Sequence, residues 1–387
     1  MEWGTNVTQV PLSLVDDFSN ADGSRFAANA RDDSWIELLV SRPAPQLVYN
    51  VRTRWALLRV GDAAMPTTIN DADYDNSYVC SPYTGCVLYP QSEVKKIDSI
   101  FVRWFILALV YAMGPPLRFS QINRTICVNN WLLSTNLYPK LDQAIIPELT
   151  QLLTTRFPDH AITFRSLNDV SNHAMLERLG REGYLLAPSR QVYFFDGNSG
   201  VYMRKQNNKL DRKLLKNTGY SVVQHDELGP DDAMRIEQLY RMLYIDKYSP
   251  HNPQFTAQMM NEFRVRGLLT MWGLRDQTGR LDGIVGAFER EGVMTVPIVG
   301  YDTSLPKQLG LYRLLMSIVL QEVAKRKIQL NLSSGASQFK RLRGGTPCIE
   351  FTAVYCRHLS FMRRFAWHAL AGLTQNVGAP ILRKYQL

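Results

Sequence analysis

The sequence predicts an α/β protein that carries two copies of one structural unit. Its length of 387 residues exceeds the roughly 250–300 residues at which a single hydrophobic core usually stops growing. Predicted strands alternate with predicted helices along the whole chain, which is typical of α/β folds. The order strand, helix, strand, short helix, strand occurs in the first half and again in the second. The chain is 45% hydrophobic, which is ample for two packed cores.

In the first half, β-branched and apolar runs bounded by turn residues predict strands, and apolar residues at three- and four-residue spacing predict helices. The apolar run 97–114 predicts a helix that stops at Pro115-Pro116. Because a membrane-crossing helix needs about 20 residues, we expect this helix to be buried and to make no membrane contact. The other predicted elements are strands 55–60, 66–69, 124–136, 161–169 and 191–196, a helix opening at Pro139 and closing near Phe157-Pro158, and a helix at 174–180.

The second half repeats this order after a helix start at Gly229-Pro230-Asp231-Asp232, where proline and acidic residues suit a first helical turn. A turn at 277–280 separates the first two strands. The remaining predicted elements are strands 268–276, 282–290, 294–302, 329–334 and 349–356, and a long helix from Leu311 to about Lys325. We therefore divide the chain into an acidic N-terminal segment and two mixed α/β units joined by a basic linker: residues 1–48, 49–196, 197–219 and 220–387.

Charge is distributed unevenly over these parts. The net charge is +9, yet residues 1–48 hold seven acidic and three basic side chains, so the remainder carries +13. A basic body attracts anionic partners: nucleic acid, a phosphorylated cofactor or an acidic membrane surface. Within it, 197–219 holds six basic residues and one acidic residue. That stretch is either a solvated helix face or a positive wall beside a phosphate-bearing donor or RNA.

Cysteine usage and the N-terminus bear on the compartment. The five cysteines form no CxxC pair and no cluster with histidine at zinc spacing, which argues against a disulfide scaffold and a structural zinc site. The N-terminus lacks the basic and apolar regions of a signal peptide. We expect a reduced, cytoplasmic protein with no transmembrane segment.

Several enzyme classes lose their support because their motifs are missing. The sequence contains no GxxxxGK[ST], GxSxG, HExxH or GxGxxG, which are typical of P-loop NTPases, α/β-hydrolases, zinc proteases and dinucleotide oxidoreductases. The chemistry must therefore be sought in less specific patterns.

One such pattern is the strand ending at Gly300-Tyr301-Asp302, the loop with Lys307, Gln308 and Gly310, and the helix that follows. A loop leading into a helix N-terminus presents free N–H groups and a positive dipole end to an anion. This arrangement resembles the core of GNAT-type acyltransferases. The duplicated order of elements, from about Gln46 to Leu387, resembles the Fem-type aminoacyltransferases and related GNAT-like acyltransferases of polysaccharide and natural-product pathways, which have two GNAT-like domains.

The resemblance implies a donor site. In the GNAT donor loop an Arg or Gln begins the motif and a Gly or Ala ends it, whereas this chain has Lys307 and Tyr312. Lys307, Gln308 and Gly310 would contact the donor. The stretch 331–345 resembles the Gly-rich turn and Lys of Fem-like enzymes, and there Lys340 and Arg343 would clamp a phosphate or carboxyl group. The alternative for these two cations is surface charge on a short helix.

Candidate catalytic and acceptor residues complete the prediction. Asp302 is our first proton acceptor because it lies just beyond a predicted central strand, with Tyr301 or Tyr355 as hydroxyl donors; Glu289 and Glu350 are reserves. The resemblance implies an acceptor cleft at the helix end formed by Asp246, Lys247 and Tyr248, for which a helix-end salt bridge is the alternative. In the first half, polar residues at 129–136 and 165–168 either face a ligand crevice or cap turns.

The function expected is an acyltransferase that moves an acyl or aminoacyl group from an activated donor to an amine of a small molecule or peptide. Acyl-CoA is narrowly favoured as co-substrate and aminoacyl-tRNA is a close second, because the unusual loop counts against CoA and the basic body suits RNA. No permanently bound cofactor and no metal are expected. The alternative is a degenerate, non-catalytic GNAT-like module that binds nucleic acid or an anionic membrane surface.

Overall fold

The computed structural model describes residues 11–18, 25–94, 97 and 99–385. Its strands are β1 (Leu12–Val15), β2 (Arg54–Val60), β3 (Ala63–Asn70), β4 (Thr125–Val128), β5 (Ala161–Asn168), β6 (Leu185–Asp196), β7 (Ser221–Val223), β8 (Thr270–Arg275), β9 (Leu281–Arg290), β10 (Val293–Tyr301), β11 (Gln329–Asn331) and β12 (Thr346–Tyr355).

The α-helices lie on the two faces and at the ends of these strands. They are α1 (Ala30–Ser41), α2 (Ala44–Leu47), α3 (Tyr89–Glu93), α4 (Ile100–Phe119), α5 (Ile146–Arg156), α6 (His173–Arg181), α7 (Gln206–Asn217), α8 (Asp232–Arg241), α9 (Ala257–Val265), α10 (Leu311–Arg326), α11 (Ser337–Leu342), α12 (Phe361–Leu373) and α13 (Ala379–Tyr385).

All twelve strands join one mixed sheet in the order β1-β2-β3-β4-β5-β12-β6-β11-β10-β9-β8-β7. Each half contains a parallel pair, β4 with β5 and β10 with β11, inside otherwise antiparallel pairing. The prediction of a mixed α/β fold with a duplicated unit is therefore confirmed. The sheet runs without interruption through both halves.

The two halves exchange strands at the centre of this sheet. The last strand of the chain, β12, inserts between β5 and β6 of the first half. In turn β6 extends past β12 and pairs with β11 of the second half, from Asp196 opposite Gln329 to Phe194 opposite Asn331. Each half thus supplies a strand that its partner's ladder needs to be complete.

Two described parts of the acidic N-terminal segment have different places: β1 pairs with β2 at the edge of the sheet, and α1 packs in a core shared by both halves. Helix α1 begins at the cap Asn29, whose side chain accepts hydrogen bonds from the N–H groups of Arg31 and Asp32. Its apolar face, centred on Trp35, is buried in a core that both halves share. Two carboxylates of α1 bind arginines of the second half: Asp32 lies 2.5 Å from Arg290, and Glu37 lies 2.7 Å from Arg266.

Residues 197–219, predicted as a basic linker, form a short 3₁₀ turn (Val201–Arg204) followed by α7. Gly200 introduces the turn in a left-handed conformation, φ 57°, which glycine adopts without steric penalty. Helix α7 packs on the start of α10, and its exposed side carries Lys209, Lys213 and Lys216. The cationic face is thus solvated and adjacent to a helix start.

The prediction of a buried helix ending at Pro115-Pro116 is wrong. Helix α4 contains both prolines and runs for 20 residues. Both prolines, and Tyr111 and Ala112, whose carbonyl groups lose their helical donors, are exposed, so water can bond those carbonyls instead. Only 17% of its most apolar window is buried. Among the described residues α4 is the only helix long and apolar enough to cross a membrane, judged by length and composition alone.

Several further boundaries differ from the predictions: β6 begins at Leu185 instead of Gln191, β11 ends at Asn331 instead of Ser334, and two other differences have a clear local cause. Strand β4 ends at Val128, because Asn129 has a positive φ of 57° that turns the chain away from the sheet. The helix expected at Pro139 starts later: Asp142 caps a 3₁₀ turn through its bond from the Ala144 N–H, and Pro147 occupies the first turn of α5.

Candidate functional site

The parallel pair of each half separates after a few residues, and the two openings differ. In the first half the pair ends after Val128 opposite Phe164. The chain that follows enters the core shared by both halves, where Trp131, Leu132 and Leu133 are fully buried. The Trp131 ring packs on Trp35 of α1, with ring centres 5.1 Å apart, and its indole N–H donates to Asn129 Oδ1 at 2.7 Å. The chain after β4 is therefore enclosed in the core.

In the second half β10 and β11 pair only from Val293 to Thr295, and β10 then continues to Tyr301 with β9 alone. Half-buried aromatic side chains surround this opening. We call the opening the tyrosine cleft and define it by Tyr244, Tyr248, Tyr301 and Tyr312.

Three separate elements bring the tyrosines together. Tyr301 ends β10, Tyr312 lies in the first turn of α10, and Tyr244 lies in a π-helical turn (Met242–Asp246) that continues α8. The rings of Tyr301 and Tyr312 are 6.2 Å apart, and those of Tyr244 and Tyr248 are 6.1 Å apart. α8 can approach β10 closely because residue 300 is glycine: a Cβ there would lie 2.6 Å from the Leu239 backbone.

Two hydroxyls of the cleft, those of Tyr312 and Tyr244, remain protonated at neutral pH. Burial raises the pKa of Tyr312, and the neighbouring Tyr244, Tyr248 and Tyr301 raise it further. Burial and Tyr248 likewise raise the pKa of Tyr244. These two residues therefore present hydroxyl donors rather than phenolates.

Lys247 and Tyr248, predicted to line an acceptor cleft, lie at this opening. The Lys247 ammonium donates to Tyr301 Oη at 3.3 Å and lies 5.8 Å from the Tyr248 ring. Its neighbour Asp246 is exposed and faces Arg241 at 3.7 Å. The sequence predicted Lys247 and Tyr248 as acceptor residues and Tyr301 as a catalytic one, and in the structure Lys247 lies against both tyrosines.

Lys340 and Arg343, expected as donor clamps, are buried with partners inside the protein. The Lys340 ammonium donates to the carbonyl oxygens of Leu332, Ser333 and Ser334 at 2.7–3.1 Å, where β11 has separated from β10. Burial, with the nearby Arg190 guanidinium, lowers the pKa of Lys340 to about 7. Lys340 thereby fixes the turn that forms one wall of the cleft.

Arg343 binds Asp211 of α7 at 2.5 Å and stacks on Phe339, with 3.4 Å between its guanidinium carbon and the ring centre. The Phe339 ring lies 4.8 Å from that of Tyr312. Arg343 therefore does not line the cleft itself but supports Phe339, which packs on Tyr312.

An ion pair that the sequence did not reveal lies where the exchanged strands meet. Arg190 of β6 faces Glu350 of β12, with Nε 2.7 Å from Oε1 and a second bond of 3.1 Å to Oε2. Arg190 also donates to Ser134 O at 2.6 Å and Thr135 Oγ1 at 2.9 Å. The pair thus links both halves, beside Lys340 on one side and Tyr244 on the other. Glu350 was only a reserve candidate. The pair follows from the register of β6 and β12, which places Arg190 opposite Glu350.

Asp302, our first proton acceptor, is 7% exposed. Its Oδ2 lies 2.7 Å from Arg235, and its Oδ1 accepts bonds from the N–H and hydroxyl of Ser304. Burial alone would raise the pKa of Asp302, but these bonds lower it below its usual value. Asp302 is thus an ionised carboxylate that anchors the end of β10.

The other predicted residues lie in different surroundings. Tyr355 packs in the core of the first half, with its ring 5.1 Å from that of Tyr184, whereas Tyr301 packs in the core of the second. Lys307 and Gln308 are exposed in a 3₁₀ turn. Gly310 caps that turn at φ 68°, and a Cβ there would lie 2.9 Å from Leu214 of α7. Helix α7 therefore lies against the start of α10. Glu289 lies on β9 and faces Arg326 of α10 at 3.1 Å.

The described residues contain no group of three or more His, Cys, Asp or Glu side chains placed to hold a metal ion. The five cysteines are free. The polar groups of the cleft are hydroxyls and cations, a set suited to an anionic or carbonyl-bearing ligand.

No protein-family model matches the sequence, and no curated protein matches it significantly. Among solved structures, the chain is similar to a tandem GNAT protein from the clavulanic acid biosynthesis pathway, at 12% identity and a TM-score of 0.39, over 89% of this chain and 98% of that one. FemX is similar at 7% identity and a TM-score of 0.41, over 61% and 80%. L-PGS from Bacillus licheniformis is similar at 12% identity and a TM-score of 0.44, over 59% and 78%. These similarities concern the fold only.

Proposed function

We propose that the protein is an acyltransferase whose reaction takes place in the tyrosine cleft of the second half. The observation that carries the proposal is the contrast between the two openings: the chain after the first is buried in the core at Trp131, Leu132 and Leu133, while the second is lined by half-buried tyrosines and a cation. A reaction site needs fixed donors around a developing charge. The hydroxyls and the ammonium group of the second opening supply such donors.

The proposed reaction is direct transfer to an amine. The amine nitrogen attacks the donor carbonyl, a C–N bond forms, and the bond from that carbon to the carrier sulfur or oxygen breaks. A tyrosine hydroxyl of the cleft passes the amine proton to the departing thiol or hydroxyl, so that the carrier leaves neutral. A second hydroxyl stabilises the negative charge on the carbonyl oxygen in the transition state.

Tyr301 and Tyr312 are the proposed hydroxyl donors because their rings are neighbours at the point where β10 and β11 separate. Lys247, which donates to Tyr301, orients that hydroxyl and holds it as a donor to the substrate. Asp302 is proposed as a positioning residue in place of the proton acceptor first expected, because Arg235 and Ser304 already occupy its oxygens.

For the donor we propose acyl-CoA first and aminoacyl-tRNA second, with a small molecule or peptide as acceptor. Both donors carry phosphates, and the exposed Lys209, Lys213 and Lys216 of α7 lie beside the start of α10. These lysines are the proposed phosphate contacts, a role earlier expected of Lys340 and Arg343, which are bound internally.

Native mass spectrometry of the full chain against acyl-CoA thioesters and charged tRNA tests the donor. A specific CoA mass supports the first donor, and a tRNA complex without a CoA complex supports the second. If neither donor binds, the proposal is contradicted.

The lysines of α7 provide a test of the donor surface. Replacing Lys209, Lys213 and Lys216 with Gln should raise the KM for the donor by about tenfold and weaken its salt dependence, because each lost phosphate contact reduces counterion release. Lys325→Gln, on an exposed lysine near the end of α10, is the control and should leave the KM unchanged.

Tyrosine variants test the chemistry. Tyr312→Phe and Tyr301→Phe should each lower kcat by roughly 10²-fold or more, the effect of removing one donor to an oxyanion, with a KM close to that of the wild type. Tyr49→Phe, which removes a surface hydroxyl (56% exposed), is the matched control. Wild-type kcat in both cleft variants would rule out these roles.

A further inference from the structure

Large apolar side chains are concentrated on the outer faces of α4 and α12. Nine of the 17 large hydrophobic residues that are exposed in the described part of the chain lie on these two helices, and they include every exposed Phe and Trp. Their exposed fractions range from 53% for Ile100 to 83% for Phe101. The set is Ile100, Phe101, Trp104, Phe105, Tyr111, Phe119, Phe361, Met362 and Phe365; we call it the aromatic face. A concentration of exposed large apolar side chains of this kind marks an interaction site.

The two helices lie on one side of the protein. Their inner residues, among them Leu117 of α4 and Trp367 of α12, share one buried cluster. The Arg363 guanidinium of α12 donates to Ser120 O, directly after α4, at 3.2 Å. The helices therefore form one surface with a buried underside.

Helix α4 is fastened to the protein body along its second half and at both ends. Gly114 packs so closely on Tyr83 that a Cβ would lie 3.1 Å from the tyrosine hydroxyl. Tyr74 donates to the carbonyl of Arg118 at 3.0 Å. Ile97, before the helix, and Ser120, after it, are both buried. Because both ends return to the same body, α4 lies along the surface although its length would suffice to cross a bilayer.

The two stretches of sequence that contain α4 and α12 hold basic residues and no acidic ones. No Asp or Glu occurs between Asp98 and Asp142, and none follows Glu350. These two stretches hold nine arginines and lysines, of which Arg118, Lys140, Arg357, Arg364, Arg383 and Lys384 are exposed. Exposed aromatic rings with arginine and lysine around them are suited to the boundary between lipid headgroups and acyl chains, and the basic residues complement anionic headgroups.

We infer that the aromatic face binds the surface of a bilayer that contains anionic lipid. The aromatic side chains enter the interface, and exposed basic residues on and next to the two helices contact lipid phosphates. The alternative occupant, a second copy of this chain, would bring two basic surfaces together and is disfavoured by their repulsion. The inference goes beyond the proposed acyl transfer and rests on residues outside the tyrosine cleft.

Vesicle flotation of the full chain tests it. We expect the protein to float with vesicles of phosphatidylcholine that contain about 30 mol % phosphatidylglycerol and to remain in solution with phosphatidylcholine alone. High salt or alkaline carbonate should release it, as for a protein attached to the surface.

Two independent double variants remove aromatic side chains. Trp104→Ser with Phe105→Ser, and Phe361→Ser with Phe365→Ser, should each lower the partition coefficient by at least about tenfold, because each pair withdraws two aromatic rings from the interface. Arg357→Gln with Arg364→Gln should weaken binding to the anionic vesicles several-fold. Met234→Ser with Val265→Ser removes exposed apolar side chains elsewhere (77% and 62% exposed) and should leave binding unchanged. Circular dichroism verifies that every variant is folded.

Three outcomes would overturn the inference. Equal binding to both vesicle types, or binding to neither, would contradict the inference that the face binds an anionic bilayer. A wild-type dimer that Trp104→Ser with Phe105→Ser converts to a monomer in sedimentation velocity, without vesicle binding, assigns the face to a second copy. If alkaline carbonate does not release the bound protein from the vesicles, α4 would instead be a membrane-spanning helix.

Discussion

At the scale of single residues, the charges that matter most are those placed inside the protein. Arg190 and Glu350 form a bidentate pair, with side-chain exposures of 17% and 4%. Lys340 is 2% exposed and bonds three carbonyl oxygens. A buried ion loses water that its partners must replace, so removing one member of such a set leaves an uncompensated charge or unbonded carbonyls. These residues therefore fix the geometry around the tyrosine cleft.

The Arg190–Glu350 pair gives the first prediction. Arg190→Met should lower the free energy of unfolding by about 3–5 kcal/mol because Glu350 remains buried and unpaired. The double variant Arg190→Met, Glu350→Met should lose less than Arg190→Met alone, since no charge is left behind. Denaturant titrations measure both. Arg178→Met, which breaks the more exposed Arg178–Glu182 pair, is the control and should cost about 1 kcal/mol or less. A double variant as unstable as the single one would contradict the assignment.

Lys340 gives a prediction about pH. Its pKa in the folded protein is about 7, below the 10.4 of an unperturbed lysine. Between these values the unfolded state binds more protons than the folded state, so this group makes stability rise with pH, by up to about 1.4 kcal/mol per pH unit. The difference in unfolding free energy between wild type and Lys340→Met should therefore grow from pH 7 to pH 10. The exposed Lys325→Met should show no such trend, and a flat difference for Lys340→Met would mean that Lys340 stays charged.

At the scale of elements, the basic stretch 197–219 forms α7, a helix that packs next to the cleft. The sequence shows six cations and one acidic residue there. In the fold the one acidic residue, Asp211, is buried and binds Arg313 of α10 at 2.7 Å and Arg343 after α11 at 2.5 Å. The lysines are left on the outer side. The two sides of α7 therefore carry opposite charges: the carboxylate of Asp211 faces the protein, and the lysines face the solvent.

Asp211→Asn tests this attachment. The change should destabilise the protein by about 3 kcal/mol or more, because Arg343 is buried and loses its carboxylate. Hydrogen exchange should increase first in α7 and α11, the helices that Asp211 joins. Asp226→Asn, at an exposed carboxylate, should change neither quantity. Unchanged protection of α7 would show that its apolar contacts alone hold it in place.

At the scale of the whole molecule, the exchange of β6 and β12 makes the two repeated units interdependent. β12 completes the sheet of the first half, and β6 reaches β11 of the second. Helix α1 adds a core that draws residues from both halves. Neither half can satisfy its central backbone hydrogen bonds alone.

Cooperative unfolding is the expected consequence. Calorimetry of the full chain should show one transition whose calorimetric and van't Hoff enthalpies agree. Fragments 25–219 and 220–387 should each be insoluble when expressed singly and should recover a folded complex when expressed together. Two separate transitions, or a soluble and folded single fragment, would contradict the interdependence.

The sequence by itself determined the mixed α/β class, the duplication and most element positions in the second half, because local periodicity and turn residues report backbone conformation directly. It also named Tyr301, Lys247 and Tyr248 as candidate site residues, in separate catalytic and acceptor roles. The prediction for α4 was wrong in its end and its burial, because the positions of prolines and the hydropathy of a helix do not show which of its faces packs against the protein. The strand exchange, the Arg190–Glu350 pair, the burial of the chain after β4 and the buried state of Lys340 were decided by the tertiary structure. Each depends on contacts between residues distant in the chain, and burial, which sets a group's charge and partners, exists only once those contacts have formed.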